Sequence, residues 1–274
     1  MTTQAEPLFL ERAGHGARFA LFYPGAGACR AAVLYLHPFA EEMNKTRRMA
    51  ALQARALASQ GVAVLQLDLH GCGDSSGDFG DATWDGWLDD VAHAAAWLRA
   101  RCKVPVTLWG LRLGALLALN HARRDPDIAA LLLWQPVLSG ASHLTQFLRL
   151  RVAGDMLGNA VSAGGTAALR AALTKGESLE VAGYSLSPGL ALGMETAEAA
   201  GLVPHCPVHW FEVAPTLARG IAPASLRTID AWRAAGAAVD AQQVVGEPFW
   251  ATQEVAVCPA LIAATLAAME PCHA

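Results

Sequence analysis

Through the first half of the chain, short apolar runs alternate with stretches of helical spacing. That rhythm requires a parallel sheet, because parallel neighbours can be joined only by crossovers long enough to hold a helix. Residues 8–12 and 17–23 read as an antiparallel opening pair, and residues 32–36, 62–68, 104–109 and 129–134 as short buried strands. Between them, residues 47–59, 83–101 and 113–124 carry apolar positions three to four apart with few breakers, which predicts helices. From Gln135 to about Pro204 the rhythm breaks. Ser139-Gly140, Gly154, Gly158, Ala163-Gly164-Gly165 and Ser187-Pro188-Gly189 punctuate short helical stretches, with a strand expected only near residues 179–184. The alternation then returns as a strand at 207–213, a helix at 226–235, a strand at 239–245 and a helix at 255–269. The expected organisation is a core of residues 1–136 and 205–274, with 137–204 inserted as a helical cap.

The run Thr107-Leu108-Trp109-Gly110-Leu111-Arg112-Leu113-Gly114-Ala115 joins a predicted strand to a predicted helix. It has the frame of the G-x-S-x-G nucleophile elbow, with arginine where the serine would stand. A guanidinium stays protonated and offers no usable lone pair, so Arg112 cannot do the work of an activated hydroxyl. It does suit an anion. The helix opening at Leu113 aims free N–H groups and the positive end of its dipole at the same place, and the fork of Arg112 matches carboxylate, phosphate or sulfate. Equally, Arg112 can pair with Glu41, Glu42 or Asp68 and fill the cleft, since buried charges are normally paired.

The order of elements, His37-Pro38-Phe39 after the third strand, Asp68-Leu69-His70-Gly71-Cys72-Gly73-Asp74-Ser75-Ser76-Gly77 after the fourth and the elbow after the fifth resemble an α/β-hydrolase over nearly the whole chain outside the insertion. Residues 34–150 further resemble the hydrolase-like proteins associated with bacterial exosortase A systems. The resemblance there rests on Leu36-His37-Pro38-Phe39-Ala40-Glu41-Glu42-Met43-Asn44-Lys45, Gly110-Leu111-Arg112-Leu113-Gly114 and Leu133-Trp134-Gln135-Pro136. That resemblance implies a place near exopolysaccharide or envelope loci. The superfamily resemblance implies a triad whose nucleophile falls on Arg112. Its acid is expected after the penultimate core strand, where Phe211-Glu212-Val213-Ala214-Pro215 holds no aspartate and Glu212 falls early. Its base is expected after the last strand, where Gly246-Glu247-Pro248-Phe249-Trp250 holds no histidine.

The candidate ligand-binding residues are therefore Arg112, Leu113, His37, Phe39 and Trp250, with His37, Glu41 and Glu42 as the acid/base group of a non-standard ester or thioester hydrolase. The leading expectation is an altered member of the superfamily that binds an anionic or acylated small molecule or a partner. A hydrolase with a non-standard site and an interaction protein with a filled cleft are the alternatives. Phe147, Leu148, Leu150, Met156 and Leu157, edged by Arg149 and Arg151, either line an apolar pocket or seat the cap. Trp109, Trp134, Trp210 and Trp250 lie near strand ends, in the core or reaching the cleft. Ser75 and Ser76 read as turn caps rather than nucleophiles, and the Gly71/Gly73/Gly77 spacing as a turn rather than a dinucleotide fingerprint.

Composition bounds the rest. With 54% hydrophobic and 16% charged residues in a 274-residue chain, much of it must be interior. A formal net charge of -4, with Lys45, Arg47 and Arg48 as the dense basic cluster, gives no electrostatic reason to bind nucleic acid. Six cysteines without a C-x-x-C pair read as reduced thiols. No cofactor is implied, and His205, Cys206 and His209 lack a fourth neighbour and would face opposite sides of a strand, so no metal is expected. The opening residues carry neither a basic nor an apolar leader region, and no apolar tract is long enough to span a bilayer, so a cytoplasmic location is expected.

Overall fold

Successive residues of the central strands bury themselves on opposite faces of one sheet, which is why these strands are apolar throughout rather than alternating. Val33, Tyr35, Trp109, Leu111, Leu132 and Trp134 pack on one side, while Leu34, Leu36, Leu108, Leu131 and Leu133 pack on the other. The computed structural model describes residues 4–157 and 164–270. In chain order it runs β1 (Glu6–Arg12), β2 (Gly16–Tyr23), β3 (Ala31–Leu36), α1 (Glu41–Ser59), β4 (Val62–Leu67), α2 (Trp84–Cys102), β5 (Val106–Leu111), α3 (Leu113–Ala122) and β6 (Ile128–Trp134). Next come α4 (Gly140–Leu157), α5 (Gly165–Thr174), β7 (Leu179–Val181), β8 (Tyr184–Leu186) and α6 (Pro188–Glu195). The chain then returns to the sheet with β9 (Val208–Ala214), α7 (Pro223–Ala234), β10 (Val239–Val245) and α8 (Pro259–Ala268).

The sheet order is β1-β2-β4-β3-β5-β6-β9-β10. The β1–β2 and β2–β4 pairings are antiparallel and the others parallel. α1 and α8 cover one face, and α2, α3 and α7 the other. Among the described residues no helix is long and apolar enough to cross a membrane.

Several boundaries differ from the sequence-based expectation. α1 begins at Glu41 rather than Arg47, because Glu41 and Glu42 complement the positive end of its dipole in the first turn. The segment expected as one strand at 179–184 is a hairpin, β7–β8, whose turn residues Ala182 (φ 49°) and Gly183 (φ 84°) supply the two positive φ values of a type I′ turn. Gly154 does not punctuate: it lies inside the continuous helix α4. α8 starts only at Pro259, where the ring fits the first helical position. Gly158, Ala163 and Cys272, as well as the side chain of Leu157, lie outside the described residues.

α3 approaches β3 and β5 closely. A Cβ on Gly114 would lie 2.6 Å from the His37 carbonyl oxygen and nearer still to that of Leu36, and one on Gly110 would run into the backbone of Ala115. The glycines therefore fix how sharply β5 turns into α3. Gly114→Ala should lower stability by about 2–3 kcal/mol, a fall in Tm of roughly 4–10 °C. Gly154→Ala, where a Cβ would meet nothing within 4 Å, should leave stability equal or raise it by up to about 1 kcal/mol. Thermal unfolding of the two variants checks both.

Candidate functional site

The turn between β5 and α3 places Arg112 at φ 56° and ψ -116°, in the left-handed half of the map that non-glycine residues rarely enter. Backbone hydrogen bonds hold it there. The Arg112 N–H donates to the Trp134 carbonyl (3.0 Å), and the Arg112 carbonyl accepts from Val137 (3.1 Å) and Ala115 (3.1 Å). Ala40, just before α1, takes almost the same backbone conformation, φ 50° and ψ -127°. Such residues cost of order 1–3 kcal/mol each and cluster at functional sites. Two helices thus begin at the carboxyl end of the sheet, and their first N–H groups, that of Leu113 included, have no acceptor within their own helix.

Into this positive region the chain sends a cation. Arg112 Nε donates to Glu42 Oε1 at 3.3 Å, with the two side chains 19% and 23% exposed, so the pair is shielded but not sealed. The guanidinium carbon lies 5.5 Å from the Trp250 ring centroid, within cation–π range. Among the described residues, the terminal guanidinium nitrogens make no hydrogen bond. Burial pushes the Glu42 carboxyl above the usual carboxylate range, opposed in part by Arg112. Glu42 Oε2 is buried without a hydrogen-bond partner among the described residues.

Of the expected site residues, Arg112, Leu113, Glu42 and Trp250 come together here, and Phe39 follows β3 on the way into α1. His37 is otherwise engaged. Its Nδ1 bonds the Pro38 carbonyl at 2.8 Å and its Nε2 accepts from the Leu69 N–H at 3.4 Å, while burial holds the ring below its ordinary pKa against the pull of Asp68. Glu41 faces outward, bonded to Asn44 and Tyr184. Asp68 pairs with Arg47 at 3.5 Å rather than with Arg112. Glu212 is buried and accepts from the Ala222 N–H at 2.9 Å and the Trp210 indole at 3.4 Å, which ties β9 to the start of α7. Ser75 and Ser76 take the backbone N–H groups of Phe19 and Ala17 at 2.9 Å each, pinning the glycine turn to β2.

Beside the pair lies a chamber of about 220 Å³ lined by Phe39, Ala40, Glu41, Glu42, His143, Gln146, Phe147 and Leu150. Leu148 is wholly buried and seats α4, Met156 is exposed, and Arg151 pairs with Asp155. Trp109, Trp134 and Trp210 are core residues. His143 and Gln146 were not among the expected site residues. Their signal was the helical spacing of positions 143, 146, 147 and 150, which puts all four on one face of α4. His143 is buried, and neither ring nitrogen has a partner among the described residues. Burial, helped by the nearby charge of Arg112, pushes its pKa down to about 3, so the ring is neutral. No group of three or more metal-ligating side chains occurs among the described residues.

The strand–turn–helix geometry of Arg112, with its glycine frame, is that of a hydrolase elbow. A family profile described as serine aminopeptidase, S33, matches residues 27–165, just over half the chain. The chain belongs to this α/β-hydrolase family. Solved structures agree on the fold of the S33-family chain. DcsB, in complex with its substrate analogue, is similar at a TM-score of 0.63 and 15% identity over 97% of both chains. Est1E from Butyrivibrio proteoclasticus is similar at 0.59 and 16%, over 88% of this chain and 89% of its own. The thioesterase domain from the curacin biosynthetic pathway is similar at 0.55 and 16%, over 89% and 93%. No curated protein matches in sequence.

The buried neutral histidine gives this hydrolase-fold chain a specific acid sensitivity. Because the folded pKa of His143 lies near 3 and the ordinary value is 6.5, the unfolded chain binds one more proton than the folded one between those pH values. The stability contributed by a neutral His143 is full above about pH 6.5 and is lost as pH falls toward 3. His143→Phe should reduce the pH slope of unfolding free energy by up to about 1.4 kcal/mol per pH unit near pH 5. Urea unfolding at several pH values measures the slope, and an unchanged slope would show that His143 is protonated in the folded state.

Proposed function

We propose that this chain is a catalytically altered α/β-hydrolase in which the serine–histidine–acid triad has been replaced and the elbow binds an anion. The observation that carries the reading is the half-used guanidinium: Arg112 is fixed by Glu42 through Nε and covered by Trp250, while its terminal nitrogens stay unengaged among the described residues. Trp250 stands in the loop after β10, where the superfamily resemblance would put the histidine base, and Glu212, the acidic residue on β9, is committed to the α7 turn. Charge counting favours an anion. Two helix N-termini and Arg112 are positive, and Glu42, whose ionisation burial opposes, is the one acid among the described residues bonded to the guanidinium. The open chamber next to the pair speaks against a filled cleft.

Residues 137–204 act as the cap over this site in the proposal, and the ligand is a small acid or acylated molecule handled in the cytoplasm. The likeness of residues 34–150 to exosortase-A-associated proteins supports a setting in exopolysaccharide or envelope chemistry. A second reading, hydrolysis of an ester or thioester by water that Glu42 activates, is favoured by one observation, the unpartnered Glu42 Oε2 on the chamber wall. His37 contributes little to it, since both its ring nitrogens are bonded to backbone, and one Glu41 oxygen is taken by Asn44 and Tyr184.

Thermal shifts with carboxylates, phosphate and sulfate test the proposal. At 100 times Kd a ligand should stabilise the protein by about 2.7 kcal/mol. Arg112→Ala should abolish the shift, and Arg112→Lys should retain only part of it because the planar fork is lost. Glu42→Gln, which removes the competing carboxylate, should preserve or strengthen binding. Loss of ester or thioester turnover in Glu42→Gln, with anion binding intact, would establish the water-activation reading instead. Shifts that are the same in wild type and Arg112→Ala would refute the anion site.

A further inference from the structure

The chamber beside Arg112 has a composition of its own. Phe39 forms one wall, edge-on to Phe147 at 4.9 Å between centroids and 84°, and edge-on to His143 at 5.7 Å and 80°. Leu150 stands at the mouth, 53% exposed on α4. An apolar cavity of about 150 Å³ is enough to take up benzene, so about 220 Å³ holds a six-membered ring with several further heavy atoms. Edge-to-face contact is the preferred geometry for an aromatic guest against such walls.

The polar groups are few, and three of their buried atoms are unsatisfied among the described residues. His143 is 8% exposed and leaves both Nδ1 and Nε2 without a partner, and Glu42 Oε2 is likewise unpartnered among the described residues. Leaving a buried donor or acceptor unmet is costly, because its hydration is lost and nothing replaces it. A protein that keeps three such atoms around one small cavity gains by admitting a molecule that meets them. A neutral imidazole offers one donor and one acceptor, which is what a hydroxyl group needs on the other side. The cation adjoins the chamber, since Glu42 both lines it and holds Arg112.

We infer that the site takes a hydroxylated aromatic monocarboxylate, its carboxylate on the terminal nitrogens of Arg112, its ring against the wall formed by Phe39 and Phe147, and its hydroxyl on His143. This rests on the anion reading of Arg112 and adds to it the class of molecule and the residue that recognises the hydroxyl. No covalent step is involved. His143 is a recognition residue, kept neutral across the physiological range so that one ring nitrogen remains an acceptor.

Calorimetric titration with acetate, phenylacetate and 4-hydroxyphenylacetate separates the parts. All three should bind with a dependence on Arg112, phenylacetate at least tenfold tighter than acetate, and the hydroxylated acid several-fold tighter again. His143→Phe should erase only the advantage of the hydroxyl. Leu150→Trp, a change at an exposed position that fills the mouth without disturbing the core, should weaken both aromatic acids at least tenfold and leave acetate unchanged. Equal affinity for acetate and phenylacetate, with Arg112 dependence retained, would overturn the aromatic assignment while the anion site stands. A hydroxyl advantage that survives in His143→Phe would overturn the role of His143. Absence of Arg112-dependent binding for any of the three, acetate included, would overturn the inference together with the anion site beneath it.

Discussion

The Arg112 guanidinium is held at the amino end of α3, where the helix dipole repels it, and among the described residues one half-buried carboxylate, that of Glu42, offsets that repulsion. The interaction is possible only because Gly110 and Gly114 let α3 approach β3 and β5 closely enough for the turn to close. The turn in turn fixes Arg112 at a positive φ and directs its side chain toward the start of α1. There the second strained residue, Ala40, sets the angle at which Glu41 and Glu42 enter the first turn. Opposite charges at the ends of two helices therefore meet because two backbone turns are over-determined by close packing, and not because either side chain is rigid.

Behind the pair an aromatic stack supports the floor. Tyr35 meets Trp109 at 4.3 Å, Trp109 meets Trp134 at 4.6 Å, Trp134 meets Phe249 at 6.3 Å, and Phe249 meets Trp250 at 5.1 Å. These contacts run from β3 across β5 and β6 to the loop after β10, and they end on the face of the guanidinium. Trp134 is also anchored to α8 by its indole N–H, which donates to Thr265 Oγ1 at 2.9 Å. A cation covered in this way is partly desolvated, which strengthens its attraction for any anion that enters. The same desolvation keeps Glu42 hard to ionise and His143 neutral, so the three side chains are set by one low-dielectric surrounding.

Much of this was legible from the sequence, and the exceptions have physical causes. The parallel core could be read because strands buried on both faces are continuous apolar runs, and the elbow because its glycines stand two residues either side of Arg112. Glu42, Phe39 and Trp250 could be named from their places after strands. Which carboxylate would meet Arg112 could not, since Glu41 and Glu42 are adjacent in sequence and only the observed start of α1 decides which one turns inward. His143 was missed for a related reason. The glycines and serines around residues 139–165 suggested broken structure, whereas α4 is one continuous helix whose face at 143, 146, 147 and 150 is visible only once its phase is known. His37 looked like an acid/base group because sequence shows a polar residue at a strand end but not the two backbone groups that bind its ring.

The central claim is that the elbow of this S33-family chain no longer performs acyl transfer through a serine. Exposure to a serine-directed fluorophosphonate, followed by intact-mass measurement, tests it directly. The proposed replacement of the nucleophile by Arg112 predicts an unmodified mass after prolonged exposure, while one adduct per chain on any serine would show that a working nucleophile exists and would contradict the account.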